Sequence, residues 1–338
     1  RSAGGTPALH FSAPPMNHPL RDWLEYAGLT AAAWLVRQLS FRNLRPLADV
    51  IGSVVYWCDP RGRHTAHQNL ESAFPGKFSP ARKRWIARGS YRTFARTMLE
   101  LFWAPNLTEE FVREHIVFEG WDRDPCGGDS TKSVINCCMH FSNFEWISLI
   151  GAYSITRGPV IAQDFKNKFL GPIFNQLRAS TGSTVIPQER AMLKMLKHLK
   201  SGGKFGMLID LNIDPRQGAV PITTFGGLMA SVTPAHVALA QRTGAVIAPF
   251  ECHPLPDGRY RMIQHAPIEC PPEADPAELA QKCWDALEPG IHAHPECWLW
   301  PYKHWRYKPR ENHERYPAYA NFLVRFDELL ASHGHAGA

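Results

Sequence analysis

KSVINCCMHFSNFEWISL (132–149) changes its hydrophobic period in the middle. KSVINCCM is a short run of β-compatible residues, whereas from about Asn143 to Tyr153 the apolar spacing becomes helical. A strand followed at once by a helix is half of a βα unit, and the alternation returns downstream. PVIAQ (159–163) precedes a helix near 167–180. STVIP (183–187) precedes one near 189–200 that stops at Gly202 and Gly203, and KFGMLIDL (204–211) is the next strand. Thr233-Pro234 opens a helix that ends at Gly244, and AVIAPFEC (245–252) follows as a strand. This pattern predicts an α/β fold, a mostly parallel sheet flanked by helices, with function gathered at the carboxyl ends of the strands. His140 stands at such an end.

Upstream the texture is helical. Ser79-Pro80 sets a capping serine before a proline at the first helical position, and the residues that follow stay helix-compatible to about Trp103. Residues 24–57 are apolar but punctuated by Glu25, Arg37, Arg42, Arg45 and Asp49, so the uncharged run Tyr26–Val36 falls short of the roughly 20 residues a spanning helix needs. Trp23 and Trp34 with flanking arginines suit a helix lying on a bilayer; packing on the protein's own core fits the segment equally well. The organisation expected is a disordered leader over 1–19, a helical, membrane-associating region over 20–118, an α/β core over 119–315 and a C-terminal helix and tail over 316–338. Residues 20–330 are expected to form one structural domain.

The 338 residues are ordinary in composition, 44% hydrophobic and 20% charged, except for 11 Trp, 18 Phe and 9 Tyr, a usage that suits a membrane interface. A formal charge of +6 and a pI near 8.9 favour anionic partners. The eight cysteines show no CxxC pair and are read as reduced and cytosolic. His292, His294 and Cys297 form an HxHxxC cluster without a matching second set of ligands, and it is read as structural, so no metal is expected.

On a continuous helix five positions turn the chain by about 140°, which would separate His140 from Glu145. A strand ending at Met139, His140 on the turn and a helix capped by Ser142 or Asn143 would instead bring Glu145 beside the ring. A carboxylate on one ring nitrogen fixes the tautomer and leaves the other nitrogen free to take a proton from a hydroxyl. The spacing also admits a structural pair, with Glu145 complementing the helix N-terminus.

MHFSNFEW resembles the HxxxxE block of the bacterial lipid A biosynthesis acyltransferases, a family of the lysophospholipid acyltransferase superfamily. Other blocks recur in order. HQNLESAFPGKFSPARKRWIAR (67–88) is similar to the family's N-L-x-x-A-F-P segment, whose helix carries an acidic residue, here Glu100. NQLRASTGSTVIPQERAMLKMLKHLKSGG resembles its arginine-then-glycine block. IDLNIDPRQGAVPITTFGG resembles the block with an aspartate and an F-G-G-like turn, and HPECWLWPYKHWRYKPR resembles the closing P-E-x-W-x-W segment. The resemblance spans roughly residues 20–315.

It implies a glycerolipid acyltransferase-like fold and transfer of a fatty acyl group from an acyl carrier protein or coenzyme A thioester to a hydroxyl of a glycolipid. The setting implied is the cytoplasmic face of the bacterial inner membrane. His140 carries over as general base and Glu145 as its orienting partner. Asn143, Arg178 and Asp210 go with the substrate-binding set, Asp214 being an alternative to Asp210. Arg178 and the amides of Gly226 and Gly227 are candidates for oxyanion donors. Lys166, Lys168 and Arg190 could meet acceptor phosphates; Lys303, Arg306 and Lys308, interleaved with Trp300, Trp305 and Tyr307, could hold headgroups or an acidic carrier.

No cofactor beyond the thioester co-substrate and no nucleic acid partner is expected. Asp210-Leu211 where the family often has D-Q, Cys297 where it has a polar residue, and Ser142-Asn143-Phe144-Glu145 for its G-N-W-E leave the acceptor open. A lipid A precursor, a lysophospholipid or glycerolipid and an inositol mannoside all remain, as does hydrolysis of the thioester. A non-catalytic lipid-binding protein is the reading from another class.

Overall fold

The computed structural model describes residues 20–120, 132–154, 160–162, 167, 169–182, 185–187 and 191–334. The chain opens with helices α1 (Leu20–Arg37), α2 (Phe41–Cys58), α3 (Pro60–Ala73), α4 (Pro80–Trp103) and α5 (Glu109–His115). Their starts follow from capping chemistry. Asp59 accepts from the Gly62 amide ahead of α3, Ser79 from the Arg82 amide ahead of α4 and Thr108 from the Phe111 amide ahead of α5, and Pro60 and Pro80 occupy positions where no amide is needed.

The core then alternates β1 (Ile116–Glu119), β2 (Val134–Cys138), α6 (Phe144–Ser154), β3 (Val160–Ala162), α7 (Leu170–Ala179), β4 (Val185–Pro187), α8 (Ala191–Lys200) and β5 (Lys204–Leu208). A hairpin of β6 (Val220–Thr224) and β7 (Leu228–Val232) follows, then α9 (Ala235–Thr243), β8 (Val246–Pro254), β9 (Tyr260–Gln264) and α10 (Pro276–Ala293); α11 (Val324–Ser332) comes last.

Seven of the described strands form one sheet in the order β1-β9-β8-β2-β5-β3-β4. Strands β8, β2, β5, β3 and β4 are parallel, as the alternation predicts. The expectation is incomplete at one edge, where β8 runs on past β2 and folds back antiparallel as β9, with β1 added parallel to β9. The β6–β7 hairpin stands apart from this sheet, and the sequence marks only its turn, at Phe225-Gly226-Gly227.

The sheet is covered on both sides, and residues of its central strands enter two cores. Ile135 and Cys137 of β2 and Ile247 of β8 pack with Met195, Val237, Leu279 and Ile291 of α8, α9 and α10. On the other face Phe250 and Cys252 meet Trp146 and Leu149 of α6, Phe174 of α7 and Leu101 to Trp103 of α4. Helix α4 contributes to both cores, through Ile86 and Tyr91 at one end and Leu99 to Trp103 at the other. It therefore ties the N-terminal helices to the sheet.

Helices α1 and α2 leave Trp23, Leu24, Trp34, Leu35, Val50, Val54 and Trp57 exposed, and α4 adds Trp85 and Phe94. Among the described residues no helix is long and apolar enough to cross a membrane.

Helices α2 and α4 touch backbone to backbone at Gly52, where an added Cβ would lie 2.5 Å from the Arg92 Cα. Alanine in a helix interior normally gains about 1 kcal/mol over glycine. Overpacking against main chain costs about 1–3 kcal/mol and wins here. Gly52→Ala is expected to lower the urea midpoint of unfolding; an unchanged or raised midpoint would contradict this packing.

Candidate active site

Strand β2 ends at Cys138 and α6 begins at Phe144, so His140 sits on the turn between them at the carboxyl edge of the sheet. The turn is held from three sides. The Ser142 amide donates to the Cys297 carbonyl at 2.7 Å, Phe141 bridges Trp298 in antiparallel fashion, and the Thr97 hydroxyl of α4 donates to the Ser142 carbonyl at 2.9 Å. Ser142 adopts φ of 50°, a left-handed conformation that costs a non-glycine residue about 1–2 kcal/mol. These tethers oppose that strain, and they explain how serine stands where the resembling family has glycine.

Strand β5 runs beside β2 and delivers Asp210 to the same edge. Asp210 Oδ2 accepts from the His140 backbone amide at 3.0 Å, and Oδ1 lies 2.8 Å from His140 Nδ1. The indole Nε1 of Trp298 donates to Oδ2 at 2.9 Å. A carboxylate only accepts, so Nδ1 carries the proton and Nε2 of the neutral ring is left as a base.

The Asp210 side chain is wholly buried, whereas 14% of the His140 side chain is exposed. Burial alone would raise the Asp210 carboxyl; the charge and hydrogen bond of His140, with His304 and Trp298, outweigh it and hold the group below the ordinary carboxylate value. The ring of His140 borders a small hollow that is also lined by Ser90, Thr93, Phe94, Ser142, Phe144, Cys297, Trp298 and Leu299. Phe144 meets the ring edge-on at 4.9 Å.

The expectation that Glu145 orients His140 is therefore corrected. The nitrogen it was to hold is taken by Asp210, and Glu145, in the first turn of α6, is gripped by Arg178 of α7. Arg178 Nε lies 2.9 Å from Oε2 and Nη2 lies 2.5 Å from Oε1, a two-point bond. Burial works against the Arg178 charge, and Glu145 more than offsets it, so its pKa is raised. Asp210 and Arg178, expected to touch substrate, each hold another side chain of the site instead.

Asn143 is likewise buried. Its Nδ2 donates to Glu100 Oε2 at 2.5 Å, and its Oδ1 accepts from the Trp146 amide at 3.2 Å, capping α6. Glu100 also accepts from the Tyr260 hydroxyl at 2.7 Å and from Arg96 Nε at 2.7 Å, so a closed polar network lies under the turn.

The remaining candidates lie elsewhere. Gly226 and Gly227 form the tip of the β6–β7 hairpin with φ of 64° and 135°; the Gly227 amide donates to the Thr224 carbonyl and the Gly226 carbonyl accepts from Arg315. That geometry serves the turn, and the Gly227 amide is not free for an oxyanion. Lys303 and Arg306 are exposed, stacked over Tyr319 and Tyr302 with centroid distances of 5.2 and 5.1 Å. Tyr302 in turn reaches the Asn212 carbonyl, two residues beyond Asp210. Lys166, Lys168 and Arg190 lie outside the described residues. Asp214 is tied to Arg216. In the HxHxxC cluster His292 bonds Glu288, and burial pushes the Cys297 thiol up to about 12.

Sequence reasoning missed Trp298 and His304 as site residues. The closing P-E-x-W-x-W block contains Trp298, but no local spacing reveals a partner 88 positions away. His304 stacks on the Trp298 indole at 3.8 Å and bonds the Leu299 carbonyl through Nε2.

A basic nitrogen turned outward from a buried carboxylate, at the carboxyl edge of a mostly parallel α/β sheet, is an arrangement that can activate a hydroxyl. The chain belongs to the bacterial lipid A biosynthesis acyltransferases, whose family model matches residues 13–307, and it is an acyltransferase enzyme. It is 26% identical over 317 residues to the lipid A biosynthesis lauroyltransferase of Escherichia coli K12, covering 88% of this chain and 96% of that protein. A solved structure of a 1-acyl-sn-glycerophosphate acyltransferase from Thermotoga maritima covers 75% of this chain and 99% of its own, at 16% identity and a TM-score of 0.38.

Burial pushes His304 from its ordinary value near 6.5 down to about 4. Between those values the unfolded chain binds the extra proton, so stability falls as pH drops, by up to about 1.4 kcal/mol per unit. His304→Gln keeps a donor for the Leu299 carbonyl without titrating there. Its unfolding free energy is expected to fall less steeply than the wild type's between pH 6.5 and 4; parallel profiles would contradict the assignment.

Proposed function

We propose that the enzyme moves a fatty acyl group from an acyl carrier protein or coenzyme A thioester to a hydroxyl of a phosphoglycolipid of the lipid A precursor class. The observation that carries this reading is the His140–Asp210 pair beside the hollow, in a chain of the lipid A acyltransferase family. Nε2 of His140 takes the acceptor's hydroxyl proton as its oxygen attacks the thioester carbonyl. The C–S bond of the tetrahedral intermediate then breaks, and the leaving thiolate recovers the proton from the imidazolium. Asp210 stabilises that imidazolium while it lasts, its carboxylate remaining ionised as the depressed pKa requires.

The lauroyltransferase name belongs to the Escherichia coli relative and supports a saturated medium-length chain as donor here. The reading includes attachment to the cytoplasmic face of the inner membrane. Its support is the exposed apolar band of α1, α2 and α4, with Arg82 stacked 3.9 Å over Trp85 at its margin.

His140→Ala removes the base while leaving the Trp298–Asp210 bond. Acyl transfer to a lipid A precursor is expected to fall by about 10²–10⁴-fold, the usual value of a positioned base, with lipid binding retained. Mass spectrometry of the lipid product measures it. A folded His140→Ala enzyme with full activity would contradict the mechanism.

A further inference from the structure

Arg88 and Arg92 stand one turn apart on α4, and both donate through Nε to a single hydroxyl, Ser53 Oγ of α2, at 3.1 and 2.9 Å. The close approach of α2 at Gly52 makes this possible. Two half-buried guanidinium groups are thereby drawn side by side.

Two other cations of α4 are neutralised and these are not. Lys83 is paired with Glu71 and Arg96 with Glu100, but among the described residues neither Arg88 nor Arg92 has a carboxylate within 4 Å. Asp49 on α2 offers Ser53 only its backbone carbonyl, and Glu296, packed against Gly89, faces His294 at 4.0 Å. Like charges four apart on a helix repel, and partial burial takes away some of the water that screens them.

One shared hydroxyl satisfies one N–H of each group and none of the charge. The Nη forks remain, a planar donor set that matches tetrahedral oxyanions with two-point geometry.

The place of the pair adds a second constraint. Trp85 and Phe94 on α4, with Val50, Val54 and Trp57 on α2, are exposed around it, while Thr93 and Phe94, the next residues along α4, line the hollow beside His140. The arginines thus lie where an apolar surface gives way to the candidate active site, the level at which a lipid in a bilayer carries its phosphate.

We propose that Arg88 and Arg92 form a subsite for the phosphate monoester of a glycolipid headgroup, holding the acceptor while its hydroxyl reaches His140. The proposal rests on the acyltransfer reading for the word acceptor, but not for the binding itself.

Three kinds of neutral phosphatidylcholine vesicle test it: doped with a diglucosamine lipid bearing a phosphate monoester, with the same lipid after dephosphorylation, or with phosphatidylglycerol at equal charge. Cosedimentation of the full chain is the readout. The wild type is expected to favour the monoester lipid over both others. Arg88→Gln/Arg92→Gln is expected to reduce that preference by about tenfold or more, since the charge-assisted hydrogen bonds of both guanidinium groups are lost. Arg88→Lys/Arg92→Lys, which keeps the charge but loses the fork, should fall between them.

The subsite is overturned if the wild type binds phosphorylated and dephosphorylated lipid alike, or if phosphatidylglycerol recruits it equally well. It is also overturned if the substituted proteins keep the wild-type preference. Turnover of the same lipid by the wild type is followed in parallel: monoester preference without acyl transfer would remove the proposed function and leave the subsite standing.

Discussion

The Asp210 carboxylate is the point on which the site depends. It reaches the backbone amide and the ring of His140 from one strand over and the Trp298 indole from the closing segment, so three distant stretches of chain converge on one buried charge. An unpaired carboxylate at that depth would be strongly destabilising, and removal of a single partner from a buried charge pair typically costs about 3–5 kcal/mol. The donors around Asp210 therefore serve the fold and the chemistry together. The parallel pairing of β2 with β5 sets the distance; the ladder continues through the Ile209 amide to the Cys138 carbonyl, just before both functional residues.

Around this point the turn from β2 to α6 is over-determined by polar groups buried in pairs. Glu145 answers Arg178, Glu100 answers Arg96, Tyr260 and Asn143, and burial followed by the Glu100 charge keeps the Tyr260 phenol protonated. The closing block is pinned in the same way. Asn69 on α3 donates to the carbonyls of Trp300 and Tyr302, and the Ser90 hydroxyl on α4 donates to that of Trp298. A histidine held by several satisfied contacts loses little orientation freedom during a reaction, which is how preorganisation lowers a barrier.

Much of this is legible in the sequence alone. The switch of period at 132–149 and its repetition downstream mark the parallel strands, because burial on both faces writes near-continuous apolar runs. Ser79-Pro80 marks the start of α4 for a local reason, the unmet amides of a first turn. The antiparallel return of β9 left no such trace, since Val246 to His253 reads the same whichever neighbour pairs with its far half.

The site divides along the same line. A histidine at a strand end is visible in the local pattern, but nearness in sequence favours Glu145 as its partner, whereas Asp210 lies 70 residues away. Asn69, the first residue of the N-L-x-x-A-F-P block, has its reason in two carbonyls more than 230 positions downstream. What local spacing cannot encode is which element the sheet order sets alongside which.

The most direct test of this account is the tautomer of His140. Nitrogen-15 spectra of histidine-labelled protein, with the His140 signals among the 16 histidines assigned by their loss in His140→Gln, report which ring nitrogen carries the proton. The Asp210 contact predicts, for the neutral ring, a protonated Nδ1 bonded to that carboxylate and a bare Nε2, with the preference weakened in Asp210→Asn. A neutral ring protonated at Nε2, or a tautomer indifferent to Asp210→Asn, would contradict it.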